Sequence, residues 1–266
     1  MLVFPHAKIN LGLVVGQKRP DGYHNINTCF FPIPVFDALE ITPHEKLKFL
    51  TSGLEIPGDP RKNLCLKAYQ ILKDEFDIPP VRIHLYKKIP FGAGLGGGSA
   101  DGAYALKALS ELFDLNLDSN ALEKYALELG SDCPYFIAGG KQIGAGRGEV
   151  LTSIDIDLKG KWILLVNPKI HISTGEAYQI CEKSSEEIDL LKILGSDQES
   201  WVSDLGNSFQ MPLEDKHPDL KQLRESLYEL GAFYASMSGS GSSYFGIFKD
   251  EPKLLPKDYI QFKFQL

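Results

Sequence analysis

Between Pro90 and Ala103 the chain reads PFGAGLGGGSADGA, which places five glycines among the seven positions from Gly92 to Gly98. Residues without a Cβ let ligand oxygens reach main-chain N–H groups, and they can hold the positive φ that tight loops need. A strand candidate precedes the run, and a helix predicted to start near Ser99 follows it, so the loop ends at the positive pole of a helix. The chemistry of that arrangement is anion binding, above all of phosphate. Pro90, Gly92, Ala93, Gly94, Leu95, Gly96, Gly97, Gly98, Ser99 and Ala100 are therefore the candidate phosphate-binding residues.

Known glycine signatures narrow the reading. Gly92, Gly94 and Gly97 satisfy G-x-G-x-x-G, but a dinucleotide fold needs a second parallel strand ending in an acid about 20 residues on. Here LDSNALEKYALELG supplies another helix instead. No G-K-[ST] follows, which excludes a P-loop, and the V-A-I-K and H-R-D signatures of protein kinases are absent. A densely packed loop without a ligand is the plain alternative.

Periodicity reveals the elements that must position the loop. Ala7, Ile9, Leu11, Leu13 and Val15 share one parity, which predicts a strand with one buried face. Lys8 and Asn10 then project together from the other face, about 7 Å apart. Turn signals in KRPDGYH lead to a second extended stretch, and VFDALEITP, EKLKFL and VRIHLY are further strand candidates, most of them short and hairpin-like. NLCLKAYQILKDEF is a helix capped by Asn63, with Leu64, Ala68, Ile71 and Leu72 at helical spacing, and DSNALEKYALELG is a helix that stops at Gly130.

After about Asp155 the pattern restarts. KWILLVNP reads as a buried strand, STGEAYQI as a short helix with a Ser173/Glu176 capping box, and PDLKQLRESLYELG as an amphipathic helix. The least regular stretch, CEKSSEEIDLLKILGSDQES, reads as helical insertion and loop. Two α+β domains of unequal size are expected, 1–155 and 156–266.

Composition limits the partners. A chain of 266 residues with 43% hydrophobic content can bury one large core or two ordinary ones. Its net charge is −7 and no run of lysine or arginine exceeds two, which argues against nucleic acid and for a small molecule. Cys29, Cys65, Cys133 and Cys181 are scattered, so neither a zinc site nor a disulfide framework is expected. The amino terminus lacks the basic region and apolar core of a signal peptide, and no apolar stretch approaches membrane-spanning length. The expectation is a cytoplasmic protein, a monomer or weak homodimer.

Three segments together resemble the GHMP kinase superfamily: FPHAKINLGL at residues 4 to 13, PFGAGLGGGSADGA at 90 to 103, and SMSGSGSSYFGIF at 236 to 248. Their order and spacing span nearly the whole chain. The resemblance implies an α+β, two-domain GHMP kinase fold. Its amino-terminal domain is like the second domain of ribosomal protein S5, its carboxy-terminal domain is ferredoxin-like, and its phosphoryl donor is ATP with Mg²⁺. AKIN, RPDGYH, GSDCPYF and STGEAY narrow the resemblance to kinases of the non-mevalonate isoprenoid route that phosphorylate the 2-hydroxyl of a cytidine diphosphate-linked methylerythritol. Within the loop, Phe91, Ala100 and Gly102 depart from the usual pattern, and the loss of a hydroxyl at Ala100 bears on one phosphate contact.

The same resemblance implies roles. Lys8 lies near the acceptor hydroxyl and the transferred group, and Asn10 helps position the substrate. Asp132, which either caps the next helix or accepts a proton, is assigned as general base, with Ser131 able to supply the cap instead. Tyr23, Phe30 or Phe31 would stack on cytosine and His24 would hydrogen-bond its edge, although core packing explains the phenylalanines equally well. Thr174, Tyr178 and Arg147 would contact the cytidyl diphosphate, and Gly239 and Ser240 would form a hairpin at the site. Asn63 and Lys67 would border the adenine pocket, although capping explains Asn63 equally well. The rival readings are another small-molecule kinase, of homoserine or mevalonate type, and a non-catalytic nucleotide-binding module.

Overall fold

The computed structural model describes residues 1–184 and 188–266. In chain order the elements begin with β1 (Leu2–Val3), β2 (His6–Lys18), β3 (His24–Phe36), β4 (Ala38–Pro43), β5 (Lys48–Gly53), α1 (Leu64–Phe76) and β6 (Val81–Lys87). Next come α2 (Gly97–Leu112), α3 (Ser119–Leu129), α4 (Cys133–Ala138), β7 (Gln142–Ala145), β8 (Val150–Ser153) and β9 (Trp162–Asn167). The chain ends with α5 (Thr174–Ile180), α6 (Leu190–Leu194), α7 (Trp201–Asp204), α8 (Gln210–Lys216), α9 (Pro218–Glu229), β10 (Tyr234–Met237), β11 (Tyr244–Phe248) and β12 (Ile260–Gln265). Of the irregular stretch 181–200, α6 and a 3₁₀ turn at Gln198–Ser200 are seen, while residues 185–187 lie outside the described residues.

Two compact units interleave along the chain: one comprises 1–8, 32–91 and 96–140, the other 9–31, 92–95 and 141–266. The sequence reading placed one cut near 155. The units interleave because β2 and β3, at 13 residues each, have residues in both.

In the first unit a four-stranded sheet runs in the order β1-β4-β6-β5. Leu39, Ile41, Val81, Ile83 and Leu85 alternate onto its buried face, as their period-2 spacing predicts. The β5–β6 pair is parallel, Lys48 opposite Arg82 through Gly53 opposite Lys87. That corrects the hairpin expectation, because α1 lies between the two strands and a helical crossover returns the chain in the same direction.

Asn63 caps α1, its Oδ1 accepting the Cys65 N–H at 2.9 Å. Asn63→Ala is expected to cost about 1 kcal/mol of stability, seen as a lower urea midpoint; an unchanged midpoint would contradict the cap. Helix α2 begins at Gly97, two residues before the expected start, since Gly96 (φ 70°) takes the left-handed cap conformation. Its small residues let it seat closely: a Cβ on Gly102 would meet Leu64 Cβ at 2.8 Å.

The second unit contains the antiparallel sheet β10-β11-β9-β12, with Ile163 to Asn167 buried in succession. Leu213, Leu220, Leu223 and Leu227 from α8 and α9 pack in one cluster with Leu164, Val166 and Tyr244. Ser173 caps α5 as its capping-box position predicts, accepting the Glu176 N–H at 3.1 Å. Strand β2 departs from simple alternation, because every residue from Ala7 to Leu13 is buried. Its polar parity is therefore covered too, and Lys8 and Asn10 are interior groups rather than a solvated face.

All four cysteines are free and buried. Among the described residues, no helix is long and apolar enough to cross a membrane.

Candidate active site

The first unit brings together positions 8, 96 and 132. Lys8 on β2 is 3% exposed, and its Nζ lies 3.7 Å from Asp132 Oδ2. Asp132 occupies the N-cap position of α4, yet its carboxylate makes no capping hydrogen bond. With about a third of its side chain exposed, that carboxylate can meet a ligand. Burial pulls the Lys8 ammonium below its ordinary value, and the Asp132 charge offsets part of the shift. A Cβ on Gly96 would meet Phe136 Cζ at 2.7 Å and Lys8 Cε at 3.1 Å, so the end of the glycine loop rests against the lysine. An added Cβ at Gly98 would meet nothing within 4 Å, which leaves the first turn of α2 open there.

The start of the loop belongs to the second unit, and it is held by the β10–β11 connection. A Cβ on Gly94 (φ 75°) would overlap the Ser238 carbonyl. Ser238 Oγ donates to the Gly94 carbonyl at 2.9 Å, and the Ser243 N–H donates to Ala93 O at 3.3 Å. Asn207 Nδ2 donates to Met237 O and Gly239 O, both at 2.9 Å, which fixes the connection itself. Gly94 and Gly96 are thus required by protein contacts and by positive φ, which matches the tight-loop reason for glycine and adds close packing to phosphate approach.

Ala100 leaves the phosphate-binding set. Its side chain is fully buried and its N–H already donates to Gly96 O at 2.8 Å, so a hydroxyl at this position would enter the core. Ala93, at 3% exposure, and Leu95, at 1%, have side chains turned inward and can offer only main-chain groups. Pro90 is buried and has no N–H. Ser99 hydrogen-bonds Cys133, whose thiol burial pushes up to about 12. Lys67 is exposed on α1, one turn beyond Asn63.

Also in the second unit, His24 stacks on Tyr178 with ring centroids 5.5 Å apart and planes at 25°. His24 Nδ1 lies 3.0 Å from the Gly16 carbonyl, which can only accept, so Nδ1 carries the hydrogen. In the neutral ring, Nε2 is then an acceptor of the kind a cytosine amino group requires. Tyr178 also meets Phe209 edge-on at 4.9 Å. Tyr23 is half exposed, with the Arg147 guanidinium 4.6 Å from its ring centroid and Glu149 3.7 Å from Arg147 Nε. Thr174 Oγ1 and Ser240 Oγ are 3.5 Å apart, joining the start of α5 to the β10–β11 connection. Asn10 Nδ2 donates to Thr28 Oγ1 at 2.9 Å, which in turn donates to Gly12 O at 2.6 Å.

Phe30 and Phe31 are corrected. They are 1% and 4% exposed, in a stretch of β3 buried continuously from Thr28, and a Cβ on Gly144 would overlap the Phe30 ring. Neither presents a face to a ligand. Sequence reasoning missed Ser238, Asn207 and a buried charge cluster of Asp37, Lys87 and Asp101. Asp101, a lone acid among the alanines and glycines of GSADGA, was the available signal.

Comparison with known proteins extends the geometry. Family models described as the GHMP kinases N terminal domain and GHMP kinases C terminal match residues 63–140 and 183–254. A Bacteroides fragilis protein named 4-diphosphocytidyl-2-C-methyl-D-erythritol kinase is 46% identical over 263 residues, covering 97% of this chain and 96% of its own. A Cytophaga hutchinsonii protein of the same name is 46% identical, covering 95% and 94%. A crystal structure of 4-(cytidine 5'-diphospho)-2C-methyl-D-erythritol kinase matches with a TM-score of 0.79 at 32% identity, over 93% and 90% of the two chains. A homoserine kinase structure from Cytophaga hutchinsonii, at 16% identity, a TM-score of 0.65 and coverage of 92% and 85%, shares the fold.

Proposed function

The chain belongs to the GHMP kinases and, within them, to the 4-diphosphocytidyl-2-C-methyl-D-erythritol kinase family, and from that premise we propose how its residues transfer the γ-phosphoryl group of ATP to the 2-hydroxyl of that alcohol. The observation that carries the proposal is the Lys8–Asp132 pair beside Gly96, a carboxylate and an ammonium set at the end of a glycine loop.

Asp132 accepts the proton of the attacking hydroxyl as the new O–P bond forms. Lys8 stabilises the charge that spreads over the transferred oxygens. Main-chain N–H groups between Gly92 and Ser99, with the positive end of α2, hold the polyphosphate. Transfer is direct, and no covalent enzyme intermediate is formed. Mg²⁺ would neutralise the β- and γ-oxygens. The phosphates of ATP would supply oxygen ligands of the kind that ion takes. Asn63 and Lys67 border the adenine.

Recognition of the cytidyl diphosphate is assigned to the second unit. Tyr178 and Tyr23 offer aromatic faces, His24 Nε2 accepts from the cytosine amino group, and Arg147 pairs with the diphosphate. Asn10, Thr174, Gly239 and Ser240 position the acceptor.

His24→Ala is expected to raise the KM for the acceptor about tenfold while the KM for ATP stays within about twofold, the scale of one lost hydrogen bond. Equal effects on both substrates would contradict the assignment. Cytidine diphosphate should inhibit competitively against the acceptor and not against ATP; the reverse pattern would overturn the placement of the cytidyl group.

A further inference from the structure

Lys87, the last residue of β6, is 1% exposed, and its Nζ donates to Asp37 Oδ2 at 2.5 Å and to Asp101 Oδ2 at 2.6 Å. Asp37 lies between β3 and β4. Its other oxygen accepts the N–H groups of Lys88 and Ile89 at 2.6 and 2.9 Å, the residues that lead into Pro90. Asp101 sits in α2, and its Oδ1 is buried without a partner. A Cβ on Gly97 would meet Lys87 Nζ at 3.0 Å, so the cluster lies directly behind the first turn of α2. Within the first unit it ties the strand that enters the glycine loop to the helix that leaves it.

The cluster is short of positive charge. Two carboxylates share one ammonium, so full ionisation leaves a net negative charge out of water and an acceptor with no donor. A single proton corrects both faults. Cys65 of α1 also faces the cluster, and burial holds its thiol protonated. Burial pushes Asp101 up to about 7, the Lys87 charge opposing the shift and the Asp37 charge adding to it.

We infer that Asp37, Lys87 and Asp101 form a proton-accepting seat beneath the phosphate-binding turn, so that a polyphosphate bound at the N-terminus of α2 draws a proton into the cluster. A net negative seat repels the anion and a neutral one does not, and linkage makes the effect reciprocal. Asp101 is a positioning residue, since it acts through the helix and touches no substrate. The inference rests on the ATP reading above.

Calorimetric titration of the full-length protein with Mg²⁺ and the non-hydrolysable analogue AMPPNP, in two buffers of different ionisation enthalpy, counts the protons taken up. For a tenfold preference, wild type should take up about 0.4 proton more per nucleotide at pH 7 than Asp101→Asn. The KM for ATP of wild type should rise about fivefold from pH 6 to 8 relative to that of the variant, which a purely structural role would not produce. Equal proton counts and parallel KM profiles would overturn the inference. Should Asp101→Asn fail to fold, infrared difference spectra of wild type must show a protonated carboxylic acid band growing on nucleotide binding; its absence is equally fatal. Failure of wild type to bind AMPPNP would instead strike the nucleotide reading.

Discussion

Asp132→Asn lowers turnover by about two to four orders of magnitude and leaves the KM for ATP within about threefold, the scale of a lost general base. The carboxamide has the same shape but cannot take the hydroxyl proton. Because Asp132 makes no capping hydrogen bond at α4, the substitution removes no helix cap, and its structural cost is confined to the loss of the anion facing the buried Lys8 ammonium at 3.7 Å. Steady-state kinetics with a thermal melt as control separate the two effects. Turnover close to wild type would remove Asp132 from the chemistry, and a large fall in the melting midpoint would make it a structural residue.

Lys8→Met is expected to reduce turnover by about two to three orders of magnitude without loss of stability. Methionine fills much of the lysine stem's volume, and the substitution takes a charge out of a site only 3% exposed. Asp132, the carboxylate that faces this ammonium, is about one-third exposed and keeps its hydration. The melting midpoint should be equal or higher. Burial also sets a sign for pH: it holds the Lys8 ammonium below its ordinary value of 10.5, so wild-type turnover falls as pH rises through that lowered value. In Lys8→Met this alkaline limb disappears. A variant that keeps the limb, or retains wild-type turnover, would show that the ammonium does not act on the transferred group.

Much of this was written in local patterns. The helices α1, α3 and α9 were readable because each carries a cap or stop signal beside a 3.6-residue apolar stripe, and α5 because of its Ser173/Glu176 capping box. RPDGYH was readable as a turn, and in it the Tyr23 N–H donates to Asp21 Oδ1 at 3.1 Å. What depends on distant partners was not readable. The parallel pairing of β5 with β6 is set by the crossover through α1, not by either strand's own residues. Phe30 and Phe31 suited either stacking on a base or core packing, and local sequence does not choose between them, because whether both faces of β3 are covered depends on distant elements. The cluster of Asp37, Lys87 and Asp101 joins three elements separated by up to 64 positions, and no periodicity reports which buried charges meet. The glycines misled in a narrower sense. Their density pointed to phosphate, while the contacts of Gly94 and Gly96 show that part of it serves close packing against Ser238, Phe136 and Lys8.

The most direct test of the account is acceptor-dependent ADP release by the purified chain supplied with Mg-ATP and, separately, 4-diphosphocytidyl-2-C-methyl-D-erythritol, homoserine and mevalonate. The account predicts ADP release with the cytidyl compound, at least about a hundredfold faster than with either of the others, as expected when buried polar groups of a recognition site go unpaired. ATP binding of ordinary strength with no acceptor-dependent release, or equal rates with all three alcohols, would contradict it.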